Sequence, residues 1–504
     1  MLLSENRLLF LWLKRKITCG KIYFEYCSGE IILLNAKIRE SLDDKLKPIR
    51  SFFMSKKFNI LIFILACVVT VFSIETYGLV VFAGIICLIL ILCEDLLATT
   101  LPFLLLAMTL IKCYDSYSTF IGYIWLAIPV VGSLLFHFIF YRTKIKVGKC
   151  IWAMLAVSVA TTIGGLGFLP LENYISLVGF YYIFGCGFGM TLVYILLSTY
   201  IKAHDDYSLS DKLTQIMIVA GLFGVFMIVS YYLKNIETVI DTHSIIYMQW
   251  RNNLSTFFMF SMPFAFYRSM KNPYYALIGF LFYGCILLTG SRGGLLFGGT
   301  ELFICITLLF SIDKRHRVPY LAIIFSILMV VFIYFQDLYS FFGHTFDRLV
   351  MGLRGNDKEV RLGLFARAFY DFKSNPIFGT GLTYFGNRDV FHNAKFALCW
   401  YHCEPLQIIA SFGLVGVVAY VYQALTRLYI MLKRTTVFNV AVLVSYIGVE
   451  MMSLVNPGVF CPVPYLFLVT MFVVIVEKCN EKGENETIEI FRKKLGKVKK
   501  NEEE

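Results

Sequence analysis

Fourteen apolar stretches, each long enough to approach a bilayer crossing, recur along this chain and decide what it can become. They are 58–75, 77–93, 96–111, 119–140, 150–169, 174–200, 214–233, 252–267, 274–289, 294–312, 319–336, 406–426, 437–455 and 463–477. A crossing helix needs roughly 20 apolar residues, and helices satisfy their own backbone polar groups where no water is present. Several stretches are short, so twelve to fourteen crossings are expected. The predicted fold class is therefore all-α: a polytopic integral membrane helix bundle. At 58% hydrophobic residues in 504 positions, the chain lies outside the soluble range.

Orientation follows from lysine and arginine. With a cytoplasmic N-terminus, the inside segments hold about 34 of the 46 basic residues, as the positive-inside rule demands. The net charge of +12 is thus a topology signal. A nucleic-acid partner would need a basic face on a soluble domain, and none is legible. Both termini are expected in the cytoplasm, with the chain in the cytoplasmic (inner) membrane. Residues 1–57 form a cytoplasmic N-terminal segment without the pattern of a cleavable signal peptide. The run from Met54, "MSKKFNILIFIL", also reads as a start feeding the first span. Residues 58–336 and 406–477 form the bundle, and 478–504 a charged cytoplasmic tail.

Connections are short except for 337–405, which this orientation places outside the membrane. A long ordered loop among tight connections is usually functional. Within it "VRLGLFARAFYDF" carries Leu362, Phe365, Phe369 and Phe372 at helical spacing. It predicts an amphipathic helix lying against the bundle or the membrane surface. "SNPIFGTG" then ends that helix, because Pro376 cannot continue it and Gly379 and Gly381 permit tight turns. Cys399 and Cys403 lie outside, four apart, so a disulfide is one option for them and free thiols the other.

The chemistry-bearing residues gather on the outer side. Arg251 in "QWRNN" and Arg292 in "TGSRGG" stand at outer span ends, and Arg361 opens the loop helix, with Arg367 further along it. Guanidinium stays charged and offers a fork of donors suited to phosphate. His402 in "WYHCEPLQ" lies just before a span. An imidazole with an ordinary pKa near 6.5 can take a proton at neutral pH. Glu404 could orient that ring or act as an independent ligand. Simpler roles stand beside these: an arginine at a helix end also anchors the interface, and a loop histidine is often only hydrogen-bonded. His243, His344 and His392 compete with His402, and Tyr384, Trp400 and Tyr401 could stack on sugars. No metal-ligand spacing is present, and no cofactor is expected.

The order "LLTGSRGGLL", "RLGLFARAFYDFKSNPIFGTGLTYFG", "HCEPLQIIASFGLVGVVAY" resembles the O-antigen polymerase and O-antigen ligase superfamily, over about 280–425. The resemblance implies an inverting, metal-independent glycosyltransferase acting on undecaprenyl-pyrophosphate-linked oligosaccharide. Arg292 matches the arginine of the S-R-G element, Arg361 the arginine leading the loop helix, and His402 the histidine before the L-Q helix. Arg251 matches the polar entry to the preceding span. Cys403 stands where the family usually has an amide. The expected activity is a polysaccharide polymerase for O-antigen, capsule or exopolysaccharide, joining a lipid-linked donor to a lipid-linked acceptor. A flippase and a chain-length regulator are candidate partners. An O-antigen ligase or oligosaccharyltransferase of the same family is the nearest alternative. A lipid-linked oligosaccharide flippase or other transporter, which would carry charges at the bilayer midplane, is the alternative of another class.

Overall fold

The computed structural model describes residues 45–110, 123–166, 184–203, 207–248, 250–352, 356–381, 401–456, 458–460, 465–485 and 488. The chain divides into two units, Met1–Phe58 and Asn59–Glu504. In the first, α1 (Lys45–Phe53) ends in a small aromatic cluster in which Phe53 and Phe58 meet edge to face at 5.0 Å.

The rest is helical, with no strand among the described residues. From the boundary onward come α2 (Lys56–Phe72), α3 (Glu75–Leu92), α4 (Leu97–Leu110), α5 (Ala127–Tyr141), α6 (Ile151–Leu166) and α7 (Met190–Tyr200). Then follow α8 (Leu209–Lys234), the short α9 (Ile236–Thr242), α10 (Arg251–Ser269), α11 (Tyr275–Thr289), α12 (Gly299–Ile312) and α13 (Arg317–Ile333). The long connection carries α14 (Phe335–Gly352) and α15 (Asn356–Ser374). The chain closes with α16 (Glu404–Leu432), α17 (Val437–Ser453) and α18 (Tyr465–Lys482). Each of the fourteen apolar stretches carries a helix. Taken singly, four described helices are long and apolar enough to cross a membrane, or six when two bent pairs count as one span each, with further apolar helices of 10–17 residues beside them. The π turns Gly185–Gly189 and Gly294–Gly298 lead directly into α7 and α12.

The core centres on α10. Every residue from Leu254 to Phe266 is buried, so this helix is covered on all sides. It packs against α11, α17 and α8. A second centre joins α6 to α16.

Polar groups collect at two opposite ends of the helices. At one end Glu477 of α18 accepts from the Lys149 amide (2.6 Å) and the Tyr194 hydroxyl (2.8 Å), just before α6 begins. Glu484 accepts from the Ser210 amide at 3.0 Å and from the Ser208 hydroxyl, at the start of α8. A carboxylate is favourable beside the unpaired amides and positive dipole end of a helix N-terminus. Asp211, Arg268 and Lys271 form an ion cluster at the same end. Here too Asp313 accepts from Tyr320 at 2.7 Å. The other end carries Arg251, Arg292 and His402.

Candidate functional site

The predicted outer-loop helix is present as α15, but its bundle-facing side differs from the apolar spacing first read. Leu364, Ala368 and Asp371 are buried, whereas Leu362 and Phe369 are about half exposed. The reason is a polar anchor. Asp371 is 1% exposed and accepts from the Tyr401 hydroxyl at 2.5 Å. It also pairs with Arg367, whose Nε lies 3.0 Å from Asp371 Oδ1. The Arg367 guanidinium also lies over the Tyr370 ring of the same helix. Ala368, Tyr401 and Ala410 pack beneath, with Leu406 against them.

The turn after α15 inserts into α16. Gly413 has φ 60° and ψ −156°, which breaks the helix. The backbone groups freed there are taken by the turn. Thr380 and Gly381 amides donate to the Ala410 and Ser411 carbonyls at 2.9 Å each. In return the Leu414 and Val415 amides donate to Pro376 and Ile377 at 2.9 and 3.1 Å. Inside a membrane bundle such a break persists only where the open groups find partners. Gly379 (φ 76°) and Gly413 meet backbone to backbone, and a Cβ on either would overlap the other strand of the contact. The glycines of "PIFGTG" and "SFGLVG" are thus required by one another.

This clasp fixes the segment that carries His402. Tyr401 is held at both ends: its hydroxyl by Asp371, its amide by Gln407 Oε1 at 3.2 Å. Gln407 in turn donates to Ser411 at 3.0 Å. His402 stands between, exposed, with φ 50° in the left-handed region. Such a conformation costs a non-glycine residue roughly 1–3 kcal/mol and persists where neighbours over-determine it. Cys403 is a free, buried thiol, and burial raises its pKa. The amide-for-cysteine departure therefore leaves an apolar, protonated side chain beside the histidine. Pro405 fits the first turn of α16, where its missing N–H is not needed. Cys399, His392 and Tyr384 fall outside the described residues.

A second polar knot lies at the start of α10. Asn252 spends its whole amide on fixed partners: Nδ2 donates to Asn456 Oδ1 (3.2 Å) and Oδ1 accepts from the Ser291 hydroxyl (2.8 Å). Ser291 Oγ also accepts from the Gly294 amide at 3.1 Å. These bonds bring Arg251 and Arg292, each the neighbour of a knot residue, to the same end. Tyr247 packs under the Arg251 guanidinium at 5.4 Å and against Gly290.

The two assemblies share a support, the segment from Met452 to Gly458. Asn456 holds Asn252. Gly293, next to Arg292, packs against Met452 and Val455. On the other side the buried Glu404 carboxylate presses on the Gly458 backbone (φ 55°) and lies near Ser453. Asn252 and Gly293, the chain neighbours of Arg251 and Arg292, and Glu404, two residues after His402, therefore meet at one support, while Arg367 pairs with Asp371 on α15. Arg361 lies on α15; its side chain is outside the described residues. Asp371, Tyr401, Gln407, Ser291 and Asn456 build this frame but were not singled out from sequence as its supports. Their signal was a polar residue inside an apolar or turn segment, which many surface positions share.

Fold and site together define a polytopic α-helical membrane protein with a polar centre at one end and an outer helix clamped over it. Residues 277–421 match the family model described as O-antigen ligase, a match that supports a relationship to the O-antigen ligase and polymerase superfamily over that part of the chain. The matched range contains Arg292, Arg361, Arg367, His402 and Glu404; Arg251 lies before it. Members are glycosyltransferase-like ligases and polymerases. No curated protein matches the chain.

Proposed function

We propose that the protein is an inverting polysaccharide polymerase that transfers glycan from an undecaprenyl-pyrophosphate donor to a sugar hydroxyl of a lipid-linked acceptor. The reaction would take place at the outer face of the cytoplasmic membrane. The observation that supports this reading is that Asn252, Gly293 and Glu404, close in sequence to Arg251, Arg292 and His402, all pack on Met452–Asn456 and Gly458, with residues 277–421 matching the O-antigen ligase family model. In the proposed reaction the acceptor oxygen forms a bond to the anomeric carbon from the face opposite the leaving group. The anomeric carbon–oxygen bond to pyrophosphate breaks, and the hydroxyl proton passes to His402. Arg251, Arg292 and Arg361 hold the lipid pyrophosphate and balance the charge it gains. Glu404 serves by position: fixed under Gly458, it anchors the first turn that follows His402.

The test is lipid-linked repeat unit supplied to purified protein, with product length read on a gel. His402→Ala should stop extension while the protein still inserts and folds. His402→Gly should be equally inactive yet at least as heat-stable as His402→Ala, because glycine accepts φ 50° without strain. Wild-type lengths in either variant would remove His402 from the chemistry. The family description favours a second reading, a ligase that delivers glycan to a lipid A-core acceptor. Supplying each acceptor separately separates the two.

A further inference from the structure

An elbow joins α13 to α14. Helix α13 is nearly bare: Tyr320 is its one buried residue, while Val318, Phe325 and Phe332 are 65–77% exposed. Tyr320 ties its base, donating to the Ser269 carbonyl at 3.1 Å and to Asp313. A 17-residue helix rises about 25 Å, so α13 alone nearly covers a hydrocarbon core of about 30 Å. Beyond Arg317 at its base, its exposed surface is apolar apart from Ser326, whose hydroxyl donates to the Ala322 carbonyl, as a lipid-facing span requires.

The chain then turns by 76° into Phe335–Gly343, the first half of α14. After such a turn each residue advances only about 0.4 Å along the old axis, so α14 runs across the span direction instead of prolonging it. Its described residues separate by helical position, with Phe341 standing between the two sides. Phe335, Leu338, Tyr339 and Phe342 share one side; Gln336, Asp337, Ser340 and Asp347 share the other. Phe335 and Tyr339 are 58% and 64% exposed and stack on one another at 6.1 Å. By chain order the elbow lies at the same end as Arg251 and His402, because α13 begins beside Ser269, at the far end of α10.

We propose that α14 is a lipid-docking helix that lies in the plane of the bilayer surface. Phe335, Leu338, Tyr339 and Phe342 enter the boundary of headgroups and acyl chains, and Gln336, Asp337 and Ser340 face water. The occupant is lipid because the apolar side continues directly from the lipid-facing surface of α13, and because the near-perpendicular turn keeps it at one depth. The role is to hold the loop that leads to α15, and so the Asp371–Tyr401 clamp, at headgroup level. The inference uses only the membrane character of the bundle and stands apart from the sugar chemistry.

The test places photoreactive p-benzoyl-phenylalanine singly at Gln336, Tyr339, Ser340 and Phe342 in the full chain. The protein is set in nanodiscs of phosphatidylethanolamine and phosphatidylglycerol, irradiated and weighed by mass spectrometry. Lipid adducts should form at 339 and 342 at least about five-fold more than at 336 and 340. Equal lipid labelling at all four positions would make α14 the second half of a broken span and overturn the proposal. Adducts to a second copy of the chain at 339 and 342 would also overturn it, as would no lipid adduct at either. Glycan extension measured on the same samples tests the proposed activity separately, since loss of extension with the labelling pattern intact touches only that reading.

Discussion

Tyr401 and Asp371, thirty positions apart, are joined by a hydroxyl-to-carboxylate hydrogen bond of 2.5 Å between two buried side chains. That bond is the closest tie between the outer helix α15 and the residue preceding His402. Removing the hydroxyl leaves a buried carboxylate beside its ionic partner Arg367. Tyr401→Phe should cost about 1–3 kcal/mol in stability and lower kcat for glycan extension more than it raises KM. Asp371→Asn should do the same, and steady-state kinetics with a lipid-linked substrate checks both. A change confined to KM would separate the clamp from the placement of His402.

Gly413→Ala should be among the most damaging single-methyl changes in the chain. Its φ of 60° disfavours any side chain, and its Cβ would overlap the Ile377 carbonyl. The expected loss is about 2–4 kcal/mol, with proteolysis opening near 376–381. Thermal unfolding in detergent and limited proteolysis measure both. A variant as stable as wild type would mean that the helix break is not held by the turn.

Arg292→Lys keeps the charge and loses the fork of donors. Because Ser291 and Gly293 fix the backbone on both sides, the longer-range fold should be unchanged while extension falls by about ten-fold or more. Unchanged turnover would assign Arg292 to anchoring the interface.

The end opposite the site should carry an acid-sensitive staple. Burial acts to raise the Glu484 pKa, but hydrogen bonds from Ser208 and Ser210 outweigh it and hold the carboxyl below its ordinary value. A depressed folded pKa gives stability that is fully present above the unfolded value of about 4.3 and is lost as pH falls through the folded value. Glu484→Gln should therefore melt lower than wild type at pH 7, and the gap should close below about pH 4. A constant gap across that range would show that charge plays no part. Asp313 follows the same sign: burial raises its pKa, yet bonds from Tyr320 and His316 bring it down.

What the sequence made legible follows from what is periodic or local. The apolar stretches announce every span helix because each needs a run of similar residues. The Pro376–Gly381 turn is readable because proline and glycine act on their own backbone. Arg251, Arg292 and His402 stand out as ionisable groups at span edges. The bundle side of α15 was not legible, since Asp371 is buried only because Tyr401 comes to meet it from thirty residues away. The same holds for the Asn252–Ser291–Asn456 knot, whose members are ordinary polar residues until three helix ends bring them together. The bend after α13 was equally hidden, because the apolar run continues past it.

The break at Gly413 also divides α16 by depth. As one rod its 29 residues would reach about 43 Å, well beyond a hydrocarbon core of about 30 Å. Divided at Gly413, residues 414–432 rise about 28 Å, close to that thickness, and residues 404–412 at most about 13 Å more. A mismatch that a straight helix would relieve by tilting is relieved here by a corner. Gly413 thus sets a boundary along α16: residues 414–432 match the thickness of a hydrocarbon core, and the turn bearing Glu404 and His402 lies beyond that length.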